Sequence, residues 1–503
     1  MLTFRRLLAF SLCPLLAVAS LAQTPEAPPA PMATVTLNEA IQRALAKNFS
    51  IKVSGYDASI ASARVTEALG KFDPVLSGSY TYSENLSPQL IDATTGLRPP
   101  ASFAKSDDVE AGIGGLLPWG MTYRLGANST NSRGTFNGQA DNYETFAGVS
   151  GTLPLLRNFG FGPTLASIRI ARANRGISDW QFRADVIDTI TAVVFAYNDL
   201  NLAYATLRSA VRSRELAASL LDENQKRLHV GSMSQFDVES ARSRVANREE
   251  GILFAERAVR VAENALKQLI TDEKTPALLT HRIVIEPPPP APIVVVDAAT
   301  DFRVALEKRP DYQQAQLALK RDGLNANLQR NQLLPRVDLV GSYGYSGYDR
   351  DLKVSRQQIR QEDYRAYSWG VAVSVPLTFT TERGRYRAAK LQQRRSETTV
   401  DLVEQDIVVR VGNAADQIET TQRRIKATRE ARDLAQATLD AEVKRLRAGQ
   451  SSTFFVLQQQ EILASLEVSA SRAQSDYHKA LAEYDRQLGV TLEKLNITLD
   501  PPR

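Results

Sequence analysis

Apolar residues recur at two periods along this chain, and each period predicts a different kind of element. Val238, Val245, Ile252, Val259 and Leu266 fall on every seventh position, and Val456, Leu463, Ala470, Tyr477 and Tyr484 repeat the series later. A seven-residue apolar repeat marks helices packed along their length in a coiled coil. Ala241, Ala255 and Ala262, three positions along, are small and predict close approach. Proline is absent between Pro163 and Pro276 and between Pro376 and Pro501, where Ala, Arg, Glu, Gln and Leu dominate, all good helix formers. The longest helices are predicted from about Pro163 to His229 and from about Arg383 to Arg447, each on the order of 100 Å at ~1.5 Å per residue. Helices of that length build a rod or a tube.

The second period is two. Leu76, Gly78, Tyr80 and Tyr82 alternate with Ser77, Ser79, Thr81 and Ser83. Trp369, Val371, Val373, Val375 and Leu377 alternate with Ser368, Gly370, Ala372 and Ser374. Val337 to Tyr345 follows the same rule, and Tyr143 to Leu155 does so more weakly. Segments of ~10 residues with one apolar and one polar face match outer-membrane strands, and Tyr and Trp near their ends match an aromatic belt. Val109, Ala111, Ile113 and Leu117, then Met121, Tyr123, Leu125 and Ala127, flank Leu117-Pro118-Trp119-Gly120 and suggest an extra hairpin. Four strands, or six with that hairpin, fall short of the ~8 of the smallest closed barrel. Copies of the chain must then complete it in a ring. The segments Glu84 to Ser106 and Tyr348 to Arg365 are charged and read as outer loops.

The chain also repeats itself. Arg227-Leu228-His229-Val230-Gly231 through Ser234-Gln235-Phe236-Asp237-Val238 returns as Arg445-Leu446-Arg447-Ala448-Gly449 through Ser452-Thr453-Phe454-Phe455-Val456. Gly78-Ser79-Tyr80 returns as Gly341-Ser342-Tyr343, and Leu153-Pro154-Leu155 as Val375-Pro376-Leu377. Each half therefore reads as a helix, a strand pair and two long helices around a glycine turn. The predicted organisation is a signal peptide over 1–22, a Pro-rich linker over 23–35, a first repeat over 36–285, a Pro-rich linker over 286–296, a second repeat over 297–496 and a tail over 497–503.

The start reads as a secretory signal: Arg5 and Arg6, the apolar run Leu7 to Ala19, and Ser20-Leu21-Ala22 as a small-residue cleavage site. The lone cysteine, Cys13, follows Leu12 inside that run. A lipoprotein site needs a small residue directly before it, so lipid anchoring is not expected, and the mature chain would be free of disulfides. No later apolar run is long enough for a membrane helix, which leaves a barrel as the membrane option. Of 503 residues, 61 are basic and 56 acidic, for a net charge of +5. No basic patch with interleaved aromatics appears, so nucleic acid is not an expected partner.

Together the duplicated strand pair, the Pro154 and Pro376 bends from strand into long helix, and the paired Gly-x-x-Ser-x-x-x-Val turns resemble the outer-membrane factors of Gram-negative tripartite pumps, the TolC family, from about Thr36 to Asn496. The resemblance implies a mainly α fold with a small membrane β-barrel, in which strand pairs and long coiled-coil helices form a trimeric α/β-barrel channel. It implies a homotrimer in outer-membrane lipid, extending into the periplasm and working with a periplasmic adaptor and an inner-membrane pump in efflux or type I secretion. Gly231, Ser234, Gly449 and Ser452 match the family's adaptor-docking turns, and the serines also read as plain helix caps. Asp237 matches an acidic position at the periplasmic constriction and equally suits helix capping. The second-half constriction positions fall on neutral Phe455 and Gln458, and Leu446 stands where the family's best-known member has a tyrosine. Phe236, Phe454 and Phe455 suit either an apolar gate or coiled-coil core.

The chain carries no nucleophile elbow, phosphate-binding glycine loop or cysteine cluster. His229, His281 and His478 are the only histidines and are far apart. No catalytic, metal or cofactor site is expected, and an enzyme is the least expected class. The alternative to a channel is a periplasmic or surface coiled-coil structural protein whose strands form a soluble sheet.

Overall fold

A computed structural model describes residues 34–280 and 282–499. The predicted signal peptide, most of the first linker, His281 and the last four residues lie outside the described residues.

Helix α1 (Leu37–Lys47) and α2 (Phe49–Leu69) meet at Asn48, whose side chain accepts from Ser50 N and caps α2. Strands β1 (Val75–Ser87), β2 (Ser102–Leu116), β3 (Thr122–Gly134) and β4 (Tyr143–Pro154) follow, then the short α3 (Phe161–Thr164). The long α4 (Ala166–His229) turns back into α5 (Gln235–Ile270). The second half runs α6 (Ala298–Lys308), α7 (Pro310–Asn331), β5 (Arg336–Asp349), α8 (Leu352–Arg360), β6 (Tyr364–Ser374), α9 (Thr380–Arg447) and α10 (Thr453–Leu488), closed by α11 (Thr491–Lys494). Each half thus begins with a broken helix pair, ends in a long hairpin and sends strands between. The inserted β2–β3 hairpin settles the strand number at six, in one antiparallel sheet of sequential order.

The helical hairpins bury most of their seven-residue stripes, with Val245, Ile252 and Ala470 half-buried. Val259 and Leu266 of α5 pack on Ile190, Val193 and Leu200 of α4. Tyr477 and Tyr484 of α10 pack on Ile407, Val411 and Ile418 of α9. These clusters bind the polypeptide between the halves as well. Tyr197 Oη lies 2.6 Å from the Glu286 carbonyl oxygen, Tyr477 Oη donates to Pro292 O at 2.6 Å, and Gln422 Nε2 donates to Val294 O at 3.2 Å. Proline-rich backbone offers carbonyls without matching N–H donors, and buried side chains supply them.

The strands differ from expectation at their ends. β1 and β2 extend through Glu84–Ser87 and Ser102–Ser106, read as loop from sequence, and Glu84 pairs across the ladder with Lys105 at 3.2 Å. The Glu84–Lys105 pair interrupts the apolar face there, so the two-residue period breaks although the ladder continues to Leu86 and Phe103. The second predicted loop, Tyr348 to Arg365, contains α8, capped by Asp351 accepting from Lys353 N at 2.8 Å. β6 stops at Ser374 rather than running to Leu377, because Pro376 has no N–H for the ladder.

Candidate functional site

The sheet presents two chemically distinct faces. On one, ladder pairing aligns Leu76, Ile113, Leu125, Val149, Tyr343 and Tyr367 in a single row across all six strands. Leu76, Leu125, Val149, Tyr343 and Tyr367 are exposed there. The apolar side chains extend from Val337 and Val373 up to Val109 and Tyr80. Ten residues of β5 cover that distance, about 25 Å of height at ~3.3 Å per residue and ~40° tilt. That is the height of the lipid-facing band of an outer-membrane barrel. The other face carries Ser77, Gly112, Gly126, Gly148 and Gly344 in a row, with Arg124, Ser150, Ser342 and Ser368 beside it. α8 lies on the apolar side at the upper margin, where Ser355 Oγ meets Thr145 Oγ1 at 2.5 Å. β1 and β6 each have one unpaired edge.

At the far end of the long helices the two turns share one backbone solution. Gly231 N donates to Leu228 O at 2.9 Å and Ser232 N to Arg227 O at 2.9 Å; Gly449 N donates to Leu446 O at 3.1 Å and Gln450 N to Arg445 O at 2.9 Å. These are Schellman closures, and they require the left-handed backbone found at both glycines, with φ of 75° and 74°.

The following caps differ. Ser234 Oγ accepts from Asp237 N at 3.2 Å while Asp237 Oδ2 accepts from Ser234 N at 3.4 Å, a complete capping box. Ser452 makes no side-chain cap bond: Phe455 N donates to the Ser452 carbonyl at 3.2 Å, Phe455 has no carboxylate to complete a box, and the neighbouring Ser451 donates to Glu442. Replacing Ser234 with Ala should therefore cost about 1 kcal/mol, while Ser452→Ala should leave the unfolding temperature unchanged. Equal losses in thermal melts would count against this asymmetry.

Phe236, Phe454 and Phe455 are exposed in the single chain and do not form its coiled-coil core; Val238 and Val456 occupy those buried positions. Helix phase decides this, since a residue one or two positions before a core residue points away from it. Arg244 of α5 sits 5.9 Å over the Phe454 ring, and Phe454 and Phe455 meet edge to face at 5.6 Å. That contact brings the start of α10 beside α5. Asp237, Gln458 and His229 are exposed. His478 is half-buried on α10, and this desolvation lowers its pKa.

The model of the outer membrane efflux protein family matches residues 120–271 and 302–490, most of the chain. The chain belongs to this family. Outer-membrane efflux proteins are channels, and this one has their fold: mainly helical, with an antiparallel sheet that contributes to an α/β barrel. It is 24% identical over 306 residues to the outer membrane efflux protein BepC of Brucella suis, a match spanning 58% of this chain and 61% of that protein. The chain thus spans less than two thirds of that relative's length. Solved structures share the fold at low identity. The Vibrio cholerae outer membrane protein VceC superposes with a TM-score of 0.65 at 16% identity, covering 90% of this chain and 96% of VceC. The Campylobacter jejuni CmeC outer membrane channel gives 0.65 at 15% identity, covering 90% and 86%.

Proposed function

We propose that three copies of this efflux-family chain stand side by side in the outer membrane, with β6 of one paired to β1 of the next, as a passive duct of a tripartite efflux or type I secretion assembly. Six strands from each of three chains close a ring of eighteen, in the size range that leaves an open aqueous lumen. The apolar row crossing the whole sheet carries this reading, because it continues unbroken to two free edges and only lipid or a neighbour can cover it. The polar glycine-rich face then lines the lumen, and the hairpins of α4–α5 and α9–α10 extend the duct into the periplasm. The leader read over 1–22 directs export.

The turns at Gly231, Ser234, Gly449 and Ser452 form the surface met by a periplasmic adaptor, which couples the duct to an inner-membrane pump. Asp237, Phe454, Phe455 and Gln458 ring the periplasmic mouth. Phe236, Phe454 and Phe455, exposed in the protomer, offer apolar contacts that shut it.

The test is the mass and bilayer conductance of the mature protein extracted in mild detergent. The expected result is a trimer that forms ion-conducting pores. Because the mature chain would lack cysteine, single cysteines introduced in β1 and β6 should crosslink between chains and not within one. A water-soluble protein that conducts nothing would leave the coiled-coil structural reading instead.

A further inference from the structure

A cavity of about 630 Å3 lies where the strands hand over to the helices. Its strand-side lining includes Leu116, Thr122, Thr152, Asp338 and Ser374, all on the polar face of the sheet by ladder register. The cavity therefore opens to the face assigned above to the lumen, and its floor is the turn after β4 and the start of the helical part.

Three cations reach it from separate parts of the chain. Lys71, just past α2, is exposed and donates from Nζ to Thr164 O at 3.2 Å. Arg157, in the turn after β4, donates from Nε to Gln332 Oε1 at 2.6 Å. Arg336, at the start of β5, donates from Nε to Asp338 Oδ2 at 2.5 Å while its side chain stays 64% exposed. Among the described residues Asp338 is the only carboxylate lining the cavity, and it is buried and already occupied. No ion pair engages Lys71 or Arg157 among the described residues. The neighbouring Asp73 folds back toward Gly70 and does not line the cavity. Three cations against one carboxylate leave an excess of two positive charges per chain.

We infer that this recess is an anion-binding collar at the barrel–tunnel seam, which concentrates carboxylate-, phosphate- or sulfonate-bearing molecules in transit. The inference rests on the duct reading and adds a substrate class to it. An arginine's planar fork suits carboxylate and phosphate oxygens, and a lysine adds a mobile point charge. Same-sign charge on a low-dielectric wall raises the local concentration of counter-ions. Repeated around the lumen, the recess becomes a ring, so each passing anion meets several copies.

The experiment is single-channel recording in a salt gradient with inorganic pyrophosphate as the probe. Lys71 is the residue to change first, because it is exposed and its one hydrogen bond among the described residues is to a backbone carbonyl. Pyrophosphate should interrupt the wild-type current, and Lys71→Gln should weaken that block on the order of tenfold. The reversal potential should move toward cation preference in Lys71→Gln and further in Lys71→Glu. Arg157→Gln, provided it assembles to the wild-type mass, should shift both readouts in the same direction. A conducting pore whose block and reversal potential ignore these changes overturns the collar and leaves the duct intact. A protein that does not conduct overturns both.

Discussion

An arginine at Val149 will destabilise the membrane-inserted protein by about 2–4 kcal/mol per chain, whereas one at Ser342 will be nearly neutral. The two positions lie on adjacent strands, one ladder step apart, since Val149 pairs with Tyr343 and Ser150 with Ser342. Val149 sits near the middle of the apolar band, so its replacement would put a guanidinium against hydrocarbon at the costliest depth. Ser342 lies on the polar face beside Ser368, with its Oγ 2.8 Å from Ser368 Oγ, where the new side chain can stay hydrated. Urea titration of folding into lipid bilayers reads the difference directly. Equal penalties would mean that the apolar face does not meet lipid, and the barrel reading would fall with that result.

A second large effect is expected deep in the helical part. Glu263 and Lys267, one turn apart on α5, form a 3.9 Å pair with side chains only 2% and 4% exposed. Tyr204 Oη lies 2.7 Å from Glu263 Oε1 and 2.8 Å from the Ile283 carbonyl oxygen. Burial, and then this carboxylate, push the Tyr204 phenol well above its ordinary pKa. Glu263→Ala strands a buried ammonium and should cost about 3–5 kcal/mol. Replacing both partners, as Glu263→Leu with Lys267→Met, should recover most of the loss, because neither charge is then left unpaired. Urea unfolding of the detergent-solubilised protein separates the outcomes. If the double variant is as unstable as Glu263→Ala, the pair contributes more than mutual neutralisation.

The long helices were legible because their core contacts repeat one signal. Val259 and Leu266, or Tyr477 and Tyr484, are buried where the seven-residue count puts them, and α4 and α9 end at the glycine turns as expected. The middles of the strands were legible for a similar reason, since one face meets a different medium from the other. That contrast is broken above the band by the charged pair of Glu84 and Lys105, so pattern alone could not carry β1 and β2 to their ends. Helix α8 was hidden by its many Lys, Arg and Gln residues; the docking of Ser355 on Thr145 and the bond from Tyr348 N to Gln358 Oε1 give it its place. At the turns, the difference between the caps was present in the sequence as Asp237 against Phe455. The buried Val238 and Val456 likewise fixed the outward phase of the phenylalanines. The recess formed by Lys71, Arg157 and Arg336 was not legible, because its residues come from parts of the chain joined only by the fold.

The hairpin β2–β3 has a consequence for how such a wall can change over time. β1 and β4 run in opposite directions, as do β5 and β6, so a hairpin placed between them reverses direction twice and returns the chain on the same side of the membrane. The helices that follow need no rerouting. Descent could therefore widen or narrow the ring by gaining or losing whole hairpins, while the helical turns at the other end stayed untouched. An ancestor with β1 joined directly to β4 would have had two matching halves, and the present chain would be that symmetric parent with one half enlarged.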